Sequence, residues 1–379
     1  MITEPNRIEE VFFAALQRKA GLERTAFLDG ICGDDLALRE RLEALLSAND
    51  SAGVFLYGAV QTGNVAVDGS PIIEGPGSVI GPYKLLERIG EGGMAIVYMA
   101  HQEKPLRRRV ALKIIKLGMD TQQVIARFEV ERQALALMDH PNIAKVLDAG
   151  ATETGRPYFV MELVRGVSIT EYCDKHRLNM RERLELFVPV CNAVHHAHQK
   201  GIIHRDLKPS NIMVTMHDGR SVPKVIDFGI AKATNHRLTD RTVFTHFAEM
   251  IGTPEYMSPE QADMSGLDID TRTDIYSLGV VLYELVTGIL PFDSDTLRAA
   301  AIDEVQRIIR EVEPLRPSTR LTALGKKAEE IAILRRTDVM TLARRLHKEL
   351  EWIPLKAMRK DRTRRYTSAS ELANDIQNY

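Results

Sequence analysis

The chain has 379 residues, of which 44% are hydrophobic and 27% charged. That length and apolar content predict two or three domains with a sizeable core, and exclude wholesale disorder and collagen-like or low-complexity architectures. Fifty basic residues against fifty-two acidic ones leave a net charge of -2, which gives no bulk attraction to nucleic acid or to an anionic membrane.

In chain order, residues 1–50 carry helical periodicity. Ile8, Val11, Phe12, Ala15 and Leu16 form one apolar face, and Leu38, Leu42, Leu45 and Leu46 another, with the short cluster Phe27, Leu28 and Ile31 between them. These faces are too small for strong independent stability, so the segment reads as a packing or spacer element. The start, MITEPNRIEE, lacks the basic and apolar runs of a signal peptide. Residues 51–78 hold six glycines and two prolines without periodicity and read as a flexible linker.

From residue 79 the pattern changes. Strand-like runs are expected at Tyr83–Ile89, Ile96–Ala100, Arg109–Ile115, Ile143–Leu147 and Tyr158–Leu163, interrupted by one helical stretch at Thr121–Met138. After residue 166 helical faces dominate, among them Leu184, Phe187, Val188, Cys191 and Val194, then Leu278, Leu282 and Leu285. A β-rich part followed by a larger α-rich part predicts an α+β protein of two lobes with a cleft between them. The most apolar stretch, Tyr276–Leu290, is broken by Glu284 and too short to span a bilayer, so no membrane segment is expected in this chain. Cys32, Cys173 and Cys191 are far apart and form no CxxC, which fits a reducing compartment.

Four blocks carry chemistry. Ile89-Gly90-Glu91-Gly92-Gly93-Met94-Ala95-Ile96-Val97 lies between two expected strands, where glycines let a tight hairpin bring its N–H groups close to phosphate oxygens. Taken alone that signal is weak, and a strand follows it rather than the helix of a Rossmann turn. Val110-Ala111-Leu112-Lys113 ends an apolar strand in a lysine, which is costly there unless paired, and Glu131 on the following helical stretch is its natural partner. His204-Arg205-Asp206-Leu207-Lys208-Pro209-Ser210-Asn211 sets a carboxylate, an ammonium and an amide in one loop. Asp206 can orient or accept a hydroxyl proton, Lys208 can neutralise phosphoryl charge, and Asn211 offers an oxygen to a hard cation. Asp227-Phe228-Gly229 follows the apolar pair Val225-Ile226 and suits a Mg²⁺ site completed by substrate phosphates.

In this order the four blocks match the signature set of protein kinases. From about Ile80 to Tyr379 the chain resembles a bacterial, eukaryotic-like (Hanks-type) serine/threonine protein kinase preceded by a short helical segment. The resemblance implies a two-lobed protein-kinase fold over 79–379, with an N-lobe to about 163 and a C-lobe from about 164. It implies that the loop from Ile89 to Val97, with Ala111, covers ATP, and that Lys113 contacts the α- and β-phosphates and pairs with Glu131. It makes Asp206 the catalytic base and gives Lys208 the γ-phosphate, with Asn211 and Asp227 holding Mg²⁺. Met161 falls at the gatekeeper position, and Glu162, Leu163 and Val164 at the hinge that meets adenine. Ala95 stands where the family usually has glycine, and Ser258-Pro259-Glu260 where it has Ala-Pro-Glu. Glu260 would pair with Arg365, and Asp274 would brace the catalytic loop.

Lys208 and the segment Gly252–Tyr256 favour serine/threonine over tyrosine acceptors in protein substrates. Arg205 beside the catalytic aspartate implies a phosphate switch on the activation segment from Asp227 to Glu260. Thr242 and Thr245 are the candidates among Thr234, Thr239, Thr242, Thr245 and Thr253, with Thr253 expected to touch the catalytic loop. Self-association for autophosphorylation in trans and a cytoplasmic location follow from the same resemblance, with membrane tethering only if the natural chain continues past Tyr379. Two rival classes are a pseudokinase scaffold and a small-molecule phosphotransferase. Competent residues at every catalytic position oppose the first, and the long activation segment opposes the second. His195, His196 and His198 are expected to pack a helix rather than bind metal, Arg107–Arg109 to be solvated, and the basic run 359–365 to lie on the surface apart from Arg365. Residues 315–350 read as a family-specific insertion.

Overall fold

The computed structural model describes residues 22–32, 39, 74–92, 95–116, 138–228, 253–263 and 269–379. The chain divides into two compact units, residues 1–68 and 69–379. In the first, the cluster at Phe27–Ile31 lies within helix α1 (Leu22–Cys32), which buries Leu28 and Cys32, while Asp29 pairs with Arg39. The apolar faces expected around residues 8–16 and 38–46 lie outside the described residues, apart from Arg39.

The second unit begins with an antiparallel sheet: β1 (Val79–Ile80), β2 (Tyr83–Glu91), β3 (Ala95–Gln102), β4 (Arg108–Ile115), β5 (Val146–Ala151) and β6 (Pro157–Glu162), in spatial order β1-β2-β3-β4-β6-β5. Its two faces follow from the period-two alternation of strand side chains. Val110, Leu112 and Ile114 join Tyr83, Leu85, Tyr98 and Val160 in a core on one face. Ala111 joins Phe159 and Met161 in the cluster on the other face, which continues into the helical part. Lys113 shares the face of Ala111 by the same alternation.

Two expected features differ. The run at Ile143–Leu147 enters the sheet only from Val146; Ile143 instead bridges to Val225, with Ala144 N–H donating to Val225 O at 2.9 Å. A short apolar run does not reveal which sheet it will join. The last residues of the expected linker are pinned: Tyr98 Oη donates to Glu74 O at 2.9 Å, and Gly77 N–H donates to Leu85 O at 2.8 Å. The Glu74 carboxylate accepts from Thr154 Oγ1 at 2.8 Å and from Arg156 at 3.3 Å.

The helical part includes a small sheet of β7 (Val167–Ser168), β8 (Ile212–His217) and β9 (Arg220–Val225), the last two strands following its first two helices in the chain. Helices α2 (Ile169–Lys175) and α3 (Met180–Gln199) come first. A reciprocal capping box starts α3: Asn179 Oδ1 accepts from Glu182 N–H at 3.0 Å, and Glu182 Oε2 from Asn179 N–H at 2.8 Å. Then come α4 (Pro259–Ala262), α5 (Arg272–Thr287), α6 (Ser294–Ala299) and α7 (Ile302–Glu311). Helix α5 is buried almost all round and ends at Gly288, whose φ of 74° is the left-handed C-cap that glycine allows. Gly279, near its middle, sits so close to the next layer that a Cβ would come within 2.7 Å of Ala357 Cβ.

Residues 315–350, expected as an insertion, form α8 (Pro317–Thr322), α9 (Lys326–Leu334), α10 (Val339–Arg345) and a π-helical turn at 346–350. Leu321, Ile331, Leu342, Leu346 and Leu350 belong to the main core, so the block is an integral layer of the lobe. Arg335, which caps the end of α9, is 2% exposed and donates to Val286 O at 2.8 Å, Leu285 O at 2.8 Å and Ile331 O at 3.1 Å. Burial pulls its pKa down to about 9, and the neighbouring Arg183 adds to this. Helices α11 (Trp352–Ala357) and α12 (Ala369–Gln377) close the fold. The basic run 359–365 is less superficial than expected. Lys360 lies over the rings of Phe292 (4.8 Å) and Tyr276 (5.7 Å), and burial lowers its pKa to about 8.

Candidate active site

Asp274, in the first turn of α5, organises the loop from His204 to Asn211. Its side chain is fully buried, and its carboxylate accepts from His204 N–H (2.7 Å) and Arg205 N–H (2.8 Å), with His198 Nε2 at 2.7 Å. Burial alone would raise its pKa. The His198 contact, the charges of His198 and His204, and the N–H bond outweigh that and hold it below the usual carboxylate range. Arg205 is thereby held at φ 64°, a left-handed conformation that bulky residues adopt only where the surroundings enforce it. His204 is completely buried, its pKa pushed down by burial, with Nε2 3.0 Å from Ile226 O and its ring 4.7 Å from that of Phe228. His198 therefore supports Asp274, and among the described residues no group of His, Cys, Asp and Glu could hold a metal through such side chains alone.

On this frame the candidate residues meet. Lys208 Nζ lies 2.9 Å from Asp206 Oδ2. Asn211 Nδ2 donates to Asp206 O at 2.8 Å and to Asp206 Oδ2 at 3.1 Å. Asn211 O accepts from Ile226 N–H at 2.9 Å, which fixes Asp227, the next residue, beside the loop. Asp227 has φ 66° and pairs with Lys113, whose side chain is only 10% exposed. The lysine that reaches across from β4 thus holds the carboxylate of the helical lobe. Glu131, its expected partner, lies outside the described residues, as do Gly93, Met94 and Gly229.

The donor set fits a hard cation. With both Asn211 amide hydrogens directed at Asp206, the amide oxygen is the atom left for a ligand. Asp227 meets Lys113 through Oδ1, which leaves Oδ2 as a second oxygen.

On the same face of the sheet as Lys113, Ala111 belongs to the apolar cluster that contains Met161, Leu207 and Phe228, and Val97 packs against it. Ala95 opens β3, and its carbonyl accepts from Gly92 N–H at 2.9 Å, closing the hairpin tip. Gly90 pairs with Val97 of β3, and Glu91, at the end of β2, accepts from Lys116 just beyond β4 at 2.9 Å, with Ile96 buried. Glu162, at the end of β6, is fixed by Lys224 of β9 at 2.8 Å and by Lys145 N–H at 3.3 Å, which positions the passage toward Val164.

Sequence reasoning missed Lys224, and it missed Gln261, whose Nε2 donates to Arg205 O at 2.8 Å. Thr253 is expected to touch the catalytic loop; the hydrogen bond from residues 253–263 to that loop among the described residues is the one from Gln261. The other four threonines of the activation segment lie outside the described residues. Glu260 and Arg365 form the expected pair, through bonds of 2.7 and 2.8 Å, and Thr273 adds a third at 2.8 Å. Burial would raise the Glu260 pKa, but Arg365 and Thr273 hold it low.

The protein kinase domain family model matches residues 83–375. Serine/threonine-protein kinase PrkC of Bacillus subtilis is 36% identical over 300 residues, covering 79% of this chain and 40% of that protein. Serine/threonine-protein kinase PknB of Mycolicibacterium smegmatis is 37% identical over 299 residues, covering 78% of this chain and 42% of that protein. The chain thus spans well under half the length of these relatives. Among solved structures, the PknI kinase domain of Mycobacterium tuberculosis superposes with a TM-score of 0.57 at 22% identity, covering 81% of this chain and 99% of that domain.

Proposed function

This chain belongs to the protein kinase family, and from that premise we propose that it transfers the γ-phosphoryl group of ATP to serine and threonine hydroxyls of proteins. The observation that carries this is the convergence of Asp206, Lys208, Asn211 and Asp227 on a loop whose backbone is clamped by Asp274. In this reading Asp206 orients and accepts the hydroxyl proton, and Lys208 lies beside it to meet charge on the transferring group. Asn211 and Asp227 would hold Mg²⁺, which supplies neutralisation of phosphate charge when bound. Lys113 holds Asp227 and lies next to the hairpin Ile89–Val97, where it can turn to the α- and β-phosphates. Val97, Ala111, Glu162 and Val164 would take the adenine, against the Met161 side chain. Positioning and charge stabilisation supply most of the acceleration in such a site.

The serine/threonine preference is supported by Lys208 and by the relatives' names. Phosphorylation of Thr242 or Thr245, in trans between two copies, belongs to the same proposal. So does a division into a helical segment 1–50, a linker 51–78 and a catalytic domain 79–379. Among the described residues no helix is long and apolar enough to cross a membrane. Incubation with labelled ATP and Mg²⁺ tests the activity: wild type should label itself or a protein acceptor, and Lys113→Met should not. No labelling by a folded wild-type protein, or equal labelling by Lys113→Met, would refute the proposal.

A further inference from the structure

Residues 314–365 hold fifteen Lys and Arg against six Asp and Glu, nine net positive charges in a chain whose total is -2. Part of that charge converges on a cavity of about 690 Å³ lined by Arg316, Trp352, Leu355, Lys356, Arg359 and Arg364. The volume lies within the range of small-ligand sites. None of these residues belongs to the nucleotide cleft.

The one carboxylate lining the cavity is already used. Glu351 is 5% exposed; Oε2 accepts from Ser318 Oγ at 2.6 Å, and Oε1 lies 3.1 Å from His347 Nδ1. Arg316 approaches it only at 3.7 Å and is 65% exposed. Lys356 is 3.8 Å from Asp375, and Arg364 is 3.4 Å from Asp361 and largely solvated. Arg359 has no carboxylate partner among the described residues. Convergent like charges repel one another unless a counter-charge covers them. Trp352 is 47% exposed, and its indole N–H donates to Glu349 O at 3.1 Å, which fixes the ring at the cavity. Guanidinium forks match phosphate oxygens, and an exposed aromatic face beside Leu355 suits the flanking side chain of a peptide.

We propose that this cavity docks a phosphorylated serine or threonine peptide with acidic flanks, a segment already modified before or by the reaction in the cleft. The choice of a phosphopeptide rests on the kinase activity proposed above, whose product carries that group; the demand for an anion rests on the cavity alone.

Trp352 is the single tryptophan of the chain, so its emission reports this site directly. The full chain, without ATP or Mg²⁺, is titrated with a phosphothreonine peptide flanked by Asp and Glu. A saturable change in emission is expected, weakened by added salt. Arg359→Glu should weaken binding about tenfold or more while keeping the wild-type melting curve. Arg364→Glu is the second variant, should the first not fold. Equal binding of the unphosphorylated peptide, an equal response to inorganic phosphate or ATP (an adventitious anion site only), displacement by an RNA oligonucleotide at lower concentration, or unchanged affinity in both variants would each overturn the proposal. Asp206→Asn should titrate as wild type while losing phosphotransfer. Loss of docking and loss of kinase activity are therefore separately visible.

Discussion

The two ends of α5 are opposite in charge and in task. At the N-terminal end one buried carboxylate, Asp274, accepts the N–H groups of His204 and Arg205. At the C-terminal end two buried guanidinium groups donate to the last carbonyls: Arg335 to Leu285 and Val286, and Arg183 to Leu285 at 3.4 Å. Arg183 also binds Cys173 O, Leu178 O and Asp174 Oδ1. Both arrangements complement the helix dipole. They differ in what they hold. Asp274 fixes the loop that holds the proposed catalytic residues, whereas the arginines fasten α2, α3 and α9 to the end of the helix. A single helix thus separates the end beside the candidate site from a structural one.

The largest effect should come from the loop that the first end supports. Asp206→Asn should lower phosphotransfer about 10²- to 10⁴-fold with an unchanged melting temperature; full activity with Mg-ATP would remove the assigned role. Next, Asp274→Ala leaves two buried N–H groups without an acceptor. It should cost about 3–5 kcal/mol in denaturant unfolding and abolish transfer as well, so both readouts move. The sign of its pH dependence follows from its lowered pKa: the stabilisation is present above the unfolded carboxylate value and is lost as pH falls through the folded one. Asp274→Asn should flatten the acid limb of the stability curve; a limb identical to wild type would exclude that contribution.

At the other end, Arg335→Met should cost about 2–4 kcal/mol because the carbonyls of Val286 and Ile331 lose its guanidinium and that of Leu285 keeps only the longer bond from Arg183, while kcat per folded molecule stays at the wild-type value. A large fall in kcat would show that the two ends are not separable. Between them, Gly279→Ala should cost about 1–3 kcal/mol through contact with Ala357 and Met358, readable as a lower melting temperature. A neutral result would mean that α11 can shift to make room.

The end beside the candidate site is legible in the sequence because its proposed catalytic residues sit in contiguous loops. Asp206, Lys208 and Asn211 lie within six residues, and Asp227 follows an apolar strand. Lys113 is legible through its alternation with Ala111 on β4. The structural end is not legible, since the partners of Arg183 and Arg335 are main-chain carbonyls that every residue possesses. Lys224 escaped notice for a related reason: its partner Glu162 is 62 positions away, and neither carries a motif. Lys360 is expected on the surface because a basic run looks alike whether its ammonium groups face water or aromatic rings.

The grip of Glu74 on the first sheet bears on how the kinase domain should be excised. A fragment cut at the start of β1 would remove the Glu74 carboxylate that Thr154 and Arg156 donate to, and the Glu74 carbonyl that Tyr98 donates to. A shortened version intended for crystallisation or screening therefore needs its amino terminus upstream of that glutamate.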